Sequence, residues 1–128
     1  MYSQINKIFG LLAFTLSFIL YFLTMAPTTS FWDCGEFIAT SYILGVPHPP
    51  GSPLFLLLGN VFSHIPILND IGARVNLISP ISSALSVMFL YYIVVYLIKE
   101  FNGASKDISD IIINNISALI AALTFAIT

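Results

Sequence analysis

Two carboxylates and one imidazole are the groups in this sequence best suited to proton transfer. In Phe31-Trp32-Asp33-Cys34-Gly35-Glu36-Phe37 the acids stand three residues apart. On a helix, positions i and i+3 share a face, and Thr40 extends that face from Asp33. A carboxylate held there at a membrane surface can deprotonate a hydroxyl as a general base. The same pair also reads as decoration of a helix N-terminus, where the macrodipole favours acids by roughly 0.3–1 kcal/mol. Placing both in hydrocarbon would cost about 2.5–3.5 kcal/mol each. The segment therefore belongs at a water interface or in a polar cavity.

The imidazole is His48, in Val46-Pro47-His48-Pro49-Pro50-Gly51. Flanking prolines fix the backbone around it. A rigid loop presenting one group that titrates near neutrality suits an anionic head group or a proton transfer. It equally suits a stiff turn with an incidental histidine. Asp33, Glu36 and His48 match no standard metal-ligand spacing, so no metal ligand is assigned, although a divalent ion stays open as a cofactor. His64 reads as structural and Trp32 as an interface anchor. Cys34 is the single cysteine. It excludes an intrachain disulfide and CxxC chemistry, and is given no role.

These residues need elements to hold them, and composition says in which solvent. Of 128 residues, 58% are hydrophobic and 8% charged, where soluble domains carry about 25% charged. So short a soluble fold could not bury that much apolar surface; lipid is the natural solvent. Four basic residues make no footprint for nucleic acid. Uncharged runs Ile8–Met25 and Val75–Ile98 are long enough to span, as is a third that starts near Ile108 and continues to the chain end. The exit of the first, Thr24-Met25-Ala26-Pro27, is a poor signal-peptidase site, so an uncleaved span is expected. Asn114 and Asn115 should face other helices rather than lipid. The sequence stops at Thr128 inside an apolar run, as the front part of a longer polytopic chain would.

Between the first two spans, residues 26–73 hold six of the seven prolines and both histidines. Two short helices fit there. One begins near Ser30 or Asp33, where Ser30-x-x-Asp33 and Asp33-x-x-Glu36 read as start signals, and ends by Gly45. The other begins at Pro53 and runs to about Ile65. It is too short to span, and Asn60, Ser63 and His64 share one face, so it should lie along the membrane. Basic residues support this. If it does not span, Lys7, Lys99 and Lys106 lie on one side and Arg74 on the other; if it spans, the split is even. The expected fold class is all-α, polytopic, with three transmembrane helices (about 8–25, 75–98 and 109–128). Two interfacial helices occupy the first external loop, about 26–73, and the N-terminus is cytoplasmic.

The run FWDCGEFIATSYILGVPHPPGSPLF resembles the N-terminal signature of a family of polytopic proteins once described only as a domain of unknown function. That family is grouped with protein O-mannosyltransferase-like glycosyltransferases of the GT-C superfamily (glycosyltransferase family 117-like). The resemblance covers roughly Ile8 to the chain end, and its specific part is the FWDCGEF…HPPG segment. It implies a first external loop carrying an acidic motif, with Asp33 as the catalytic acid and Glu36 as its neighbour or a metal ligand. It implies a polyprenyl-phosphate sugar donor, a protein or lipid hydroxyl as acceptor, and a bacterial inner membrane as location. Many GT-C enzymes have adjacent acids, whereas here Cys34 and Gly35 intervene. With that chemistry, His48 and Arg74 become candidates for substrate binding, Arg74 as a cation facing the leaving phosphate. The alternative is a non-enzymatic envelope scaffold whose loop binds a partner. A transporter is disfavoured because no span carries a buried charge.

Overall fold

The computed structural model describes residues 2–103 and 107–127. Lys106, which entered the charge split, and Thr128, at the end of the third run, lie outside the described residues. Every regular element among the described residues is an α-helix: α1 Tyr2–Thr24, α2 Cys34–Ile43, α3 Pro53–His64, α4 Ile71–Asn76, α5 Ile78–Asn102 and α6 Ile108–Ile127. Three helical stretches are long and apolar enough to cross a membrane: Ser3–Thr24, Ile71–Asn102 and Ile108–Ile127. The chain forms two compact units, one of Met1–Tyr21 with Ser82–Thr128 and one of Phe22–Ile81.

The first unit is built on narrow stripes of small or slender residues. Gly10, Ala13 and Ser17 are buried on α1, and Ala84, Val87, Tyr91 and Val95 on α5. On α6 the buried residues are Ile111, Asn115, Ala118 and Ala122. Spacings of three, four and seven put each set on one helix face, and small side chains let helix backbones approach closely in lipid. Facing outward are Leu11, Ile19, Phe89, Ile93, Ile113 and Ile120, all exposed and apolar. Asn115 is fully buried, as expected; its amide donates to the Ile111 carbonyl (2.7 Å), and the Tyr91 hydroxyl bonds its Oδ1. The same hydroxyl lies 2.8 Å from Asn6 Oδ1.

In the second unit, α2, α3 and α4 pack together. The inner side of α3 is mixed. Leu56, Gly59 and Ser63 are its buried residues, and Asn60 Nδ2 donates to the Ser41 and Tyr42 carbonyls, both at 3.0 Å. The Tyr42 carbonyl is thereby satisfied, and the Ser41 carbonyl, which also accepts from Leu44 N–H at 3.4 Å, gains a second donor. Tyr42 and His64 stack, with ring centroids 5.3 Å apart. The open side of α3 carries Leu54, Leu57, Leu58 and Val61. Asn60 and His64 of its shared polar face are thus used against α2, and apolar side chains line its exposed side.

α4 is an element that the hydropathy reading passed over. Asp70 caps it, accepting from the Ala73 N–H at 2.9 Å; the signal available was an acid just before an apolar run. α4 and α5 are separated only at Leu77, which stays right-handed. The break there follows from Pro80, which lacks the N–H that would bond the Asn76 carbonyl four residues back.

Candidate functional site

α2 begins in an unusual turn. Trp32 has φ 62°, left-handed for a bulky side chain. Asp33 follows with φ −78° and ψ 3°, and its side chain makes no capping bond. Capping residues ordinarily take extended angles; with ψ near zero the Asp33 carboxylate turns away from the N–H groups of its own helix. The other end of α2 closes with Leu44 in the left-handed region and Gly45 N–H on the Thr40 carbonyl (2.8 Å), a Schellman arrangement. The chain then runs back toward the start of α2. Pro47 is buried, and Gly51 N–H closes a turn on the His48 carbonyl (3.0 Å). Gly51 has φ 75°, which only glycine takes freely.

This return brings His48 between the two carboxylates. Glu36 grips it twice: Oε1 accepts from the His48 main-chain N–H at 2.8 Å, and Oε2 lies 2.7 Å from Nδ1. On the far side of the ring, Nε2 is 3.8 Å from Asp33 Oδ2. Glu36 therefore does not close a capping box with its own helix. The hydrogen bond from the His48 ring, followed by that from its backbone, holds the Glu36 carboxyl below its usual range. The bond to Glu36, and secondarily the Glu36 and Asp33 charges, raises the His48 imidazole above its usual value. Phe37 packs edge-on against His48 (6.0 Å) and against Phe55 (5.8 Å).

Three of the four candidates named from sequence are thus one cluster. Arg74 is engaged elsewhere: it donates to the Ser63 carbonyl (3.0 Å) and the Leu68 carbonyl. Asp33, Glu36 and His48 also offer one ligand atom each within 4.8 Å of one another, a spacing a metal ion could use. In the arrangement observed, however, the imidazole itself lies between the carboxylates, and Glu36 binds Nδ1 while Asp33 faces Nε2. A metal would have to displace Glu36 from His48 or bind without one of the three.

Beside the cluster an apolar cleft of about 500 Å3 opens, lined by Met25, Cys34, Phe37, Phe55, Val75 and Asn76 among others. Sequence reasoning missed two of its residues. Asn76 ties the loop to the second long helical run, donating to the Ala26 and Thr28 carbonyls at 2.9 and 3.0 Å. Its signal was a lone amide at the start of an apolar run. Phe37 is shared between cleft and cluster, and nothing in its spacing marked it.

Residues 33–128 match the family described as the protein O-mannosyl-transferase TMEM260 N-terminal domain, a stretch that includes Asp33, Glu36, His48 and Arg74. The chain is 38% identical over 81 residues to protein O-mannosyl-transferase tmem260 of Dictyostelium discoideum, covering 62% of this chain and 10% of that protein. It is 39% identical over 62 residues to protein O-mannosyl-transferase TMEM260 of Mus musculus, covering 48% of this chain and 9% of that protein. The chain thus spans about a tenth of the length of these relatives. No solved structure matches it.

Proposed function

The chain belongs to the family of protein O-mannosyl-transferase TMEM260 N-terminal domains, and on that premise we propose that it is the N-terminal part of a GT-C-type membrane glycosyltransferase. In this reading the donor is a sugar on a polyprenyl phosphate and the acceptor is a protein hydroxyl; a lipid hydroxyl is the alternative. The acceptor oxygen bonds to the anomeric carbon and its proton passes to Asp33. The bond from that carbon to the phosphate oxygen breaks, and polyprenyl phosphate leaves with the electron pair. The role left to Arg74 is a cation facing that phosphate through the N–H groups not bound to Ser63 and Leu68. The protein sits in a bacterial inner membrane with its N-terminus in the cytoplasm and residues 26–73 outside.

The observation that carries the reading is the state of Asp33. Its carboxylate is solvent-exposed, released from capping, and set in a cluster beside an apolar cleft. A general base needs that access, and it must come within about 2.6–3.2 Å of the proton it takes. In the full-length protein, Asp33→Asn keeps volume and hydrogen bonding but cannot accept the proton. Turnover of radiolabelled mannosyl-phospho-polyprenol onto acceptor proteins should fall by about 10²–10⁴-fold, with membrane expression unchanged. Near wild-type turnover would remove the general base and favour a scaffold.

A further inference from the structure

The Glu36–His48 pair joins two segments that the local sequence does not otherwise bring together, the first turn of α2 and the proline-rich loop after it. Both oxygens of one carboxylate are committed to one residue, one to its main chain and one to its ring. The loop has other anchors: the buried Pro47, the Gly51 turn and the edge of Phe37. Of these only the Phe37 edge touches the imidazole, and an apolar contact does not decide which nitrogen faces which carboxylate. Glu36 does, because a partner on Nδ1 leaves Nε2 pointing the other way across the ring, and Asp33 is what it points at.

We propose that Glu36 and His48 are a positioning pair for Asp33: Glu36 orients His48, and His48 Nε2 confines the Asp33 carboxylate to the face where substrate meets it. The proposal rests on the reading of Asp33 as the base. It assigns Glu36 no proton transfer and no metal of its own. The 3.8 Å gap between Nε2 and Asp33 is wider than a hydrogen bond, so the ring limits the carboxylate's rotation without occupying the lone pair that takes the proton. Because the two residues act through one linkage, their loss should be counted once.

The test is a double-mutant cycle in the full-length protein, with mannosyl-phospho-polyprenol as donor and the acceptor proteins of the same membranes. Glu36→Ala and His48→Ala should each lower kcat by roughly 10- to 100-fold, the scale expected when a reacting group is misplaced by about 1 Å. KM for the donor should stay within about twofold, since the pair acts on Asp33 in place of the substrate contact expected of His48 from sequence. The double variant should be no slower than the slower single variant. His48→Gln should recover most of the turnover lost in His48→Ala, because its amide can still donate to Glu36. Membrane expression is followed for every variant. Multiplicative losses in the double variant would overturn the pair, as would wild-type kcat in either alanine variant. His48→Gln as slow as His48→Ala would overturn it too, because the imidazole would then be doing chemistry rather than positioning. Asp33→Asn separates the two levels. If it is inactive while the alanine variants are unimpaired, only the pair fails; if it is active, the general-base reading fails first.

Discussion

A glutamate at the third position of a helix ordinarily reaches back to cap it; Glu36 reaches across a loop to His48 instead. The consequence is a pH window for the loop. The raised His48 value means the pair is fully formed below the ordinary imidazole value of 6.5 and is lost as pH rises through the higher folded value. The lowered Glu36 value means its contribution is present above the ordinary 4.5 and is lost as pH falls through the lower folded value. Between these limits the loop should be tightest. Amide exchange of residues 46–52, corrected for intrinsic rates, should be slowest near pH 5–6 and faster toward about pH 8. His48→Gln should flatten that profile, and protection that keeps growing with alkalinity would count against the link. Residue types made Asp33, Glu36 and His48 legible in the sequence, since few acids and histidines occur in so apolar a chain. Their pairing was not legible. It depends on Trp32 and Leu44 adopting left-handed backbone angles, which neither tryptophan nor leucine advertises.

At the scale of elements, three long apolar helical stretches could be read from uncharged runs and the polar face of α3 from periodicity, but what that face contacts could not. Asn60, Ser63 and His64 read as one polar face; the structure sets Asn60 on the Ser41 and Tyr42 carbonyls of α2 and stacks His64 on Tyr42, while the Ser63 hydroxyl bonds the Asn60 carbonyl. The close approach rests on Gly59. A Cβ there would overlap Ser41 Oγ and lie 2.8 Å from Ser41 Cβ. Gly59→Ala should therefore destabilise the α2–α3 pair by about 1–3 kcal/mol, the usual scale of overpacking. Adding Ser41→Gly should return part of that loss, less about 0.5–1 kcal/mol for a glycine inside a helix. Ser41→Ala should return less, since it removes the Oγ but leaves the Cβ 2.8 Å away. Thermal unfolding in detergent reads all three. The hydroxyl of Ser41 is buried without a partner among the described residues, so Ser41→Ala alone should be neutral or mildly stabilising. By the same measurement Asp70→Ala should cost about 1 kcal/mol through loss of the α4 cap.

For the whole molecule, the decisive property is which side of the membrane the carboxylates face. The three long apolar helical stretches make this a multi-pass membrane protein, and their lengths alone do not orient it. Orientation rests on the basic residues, which concentrate on cytoplasmic faces. If the helical run containing α5 crosses, then the segment before it and the turn after it emerge on opposite sides. Val46 and Phe101 are good reporters, being 90% and 84% exposed on either side of that crossing in the sequence. With the single native thiol removed by Cys34→Ser, Val46→Cys should react with a membrane-impermeant maleimide in intact cells. Phe101→Cys should react only after the membrane is breached or inverted. The reverse pattern would place the Asp33 cluster in the cytoplasm, away from any acceptor presented outside. Labelling of both from one side would mean either that α5 does not cross or that α3 crosses as well. Since a lipid-linked sugar phosphate holds its head group at one membrane surface, the same experiment decides at which surface Asp33 could meet it.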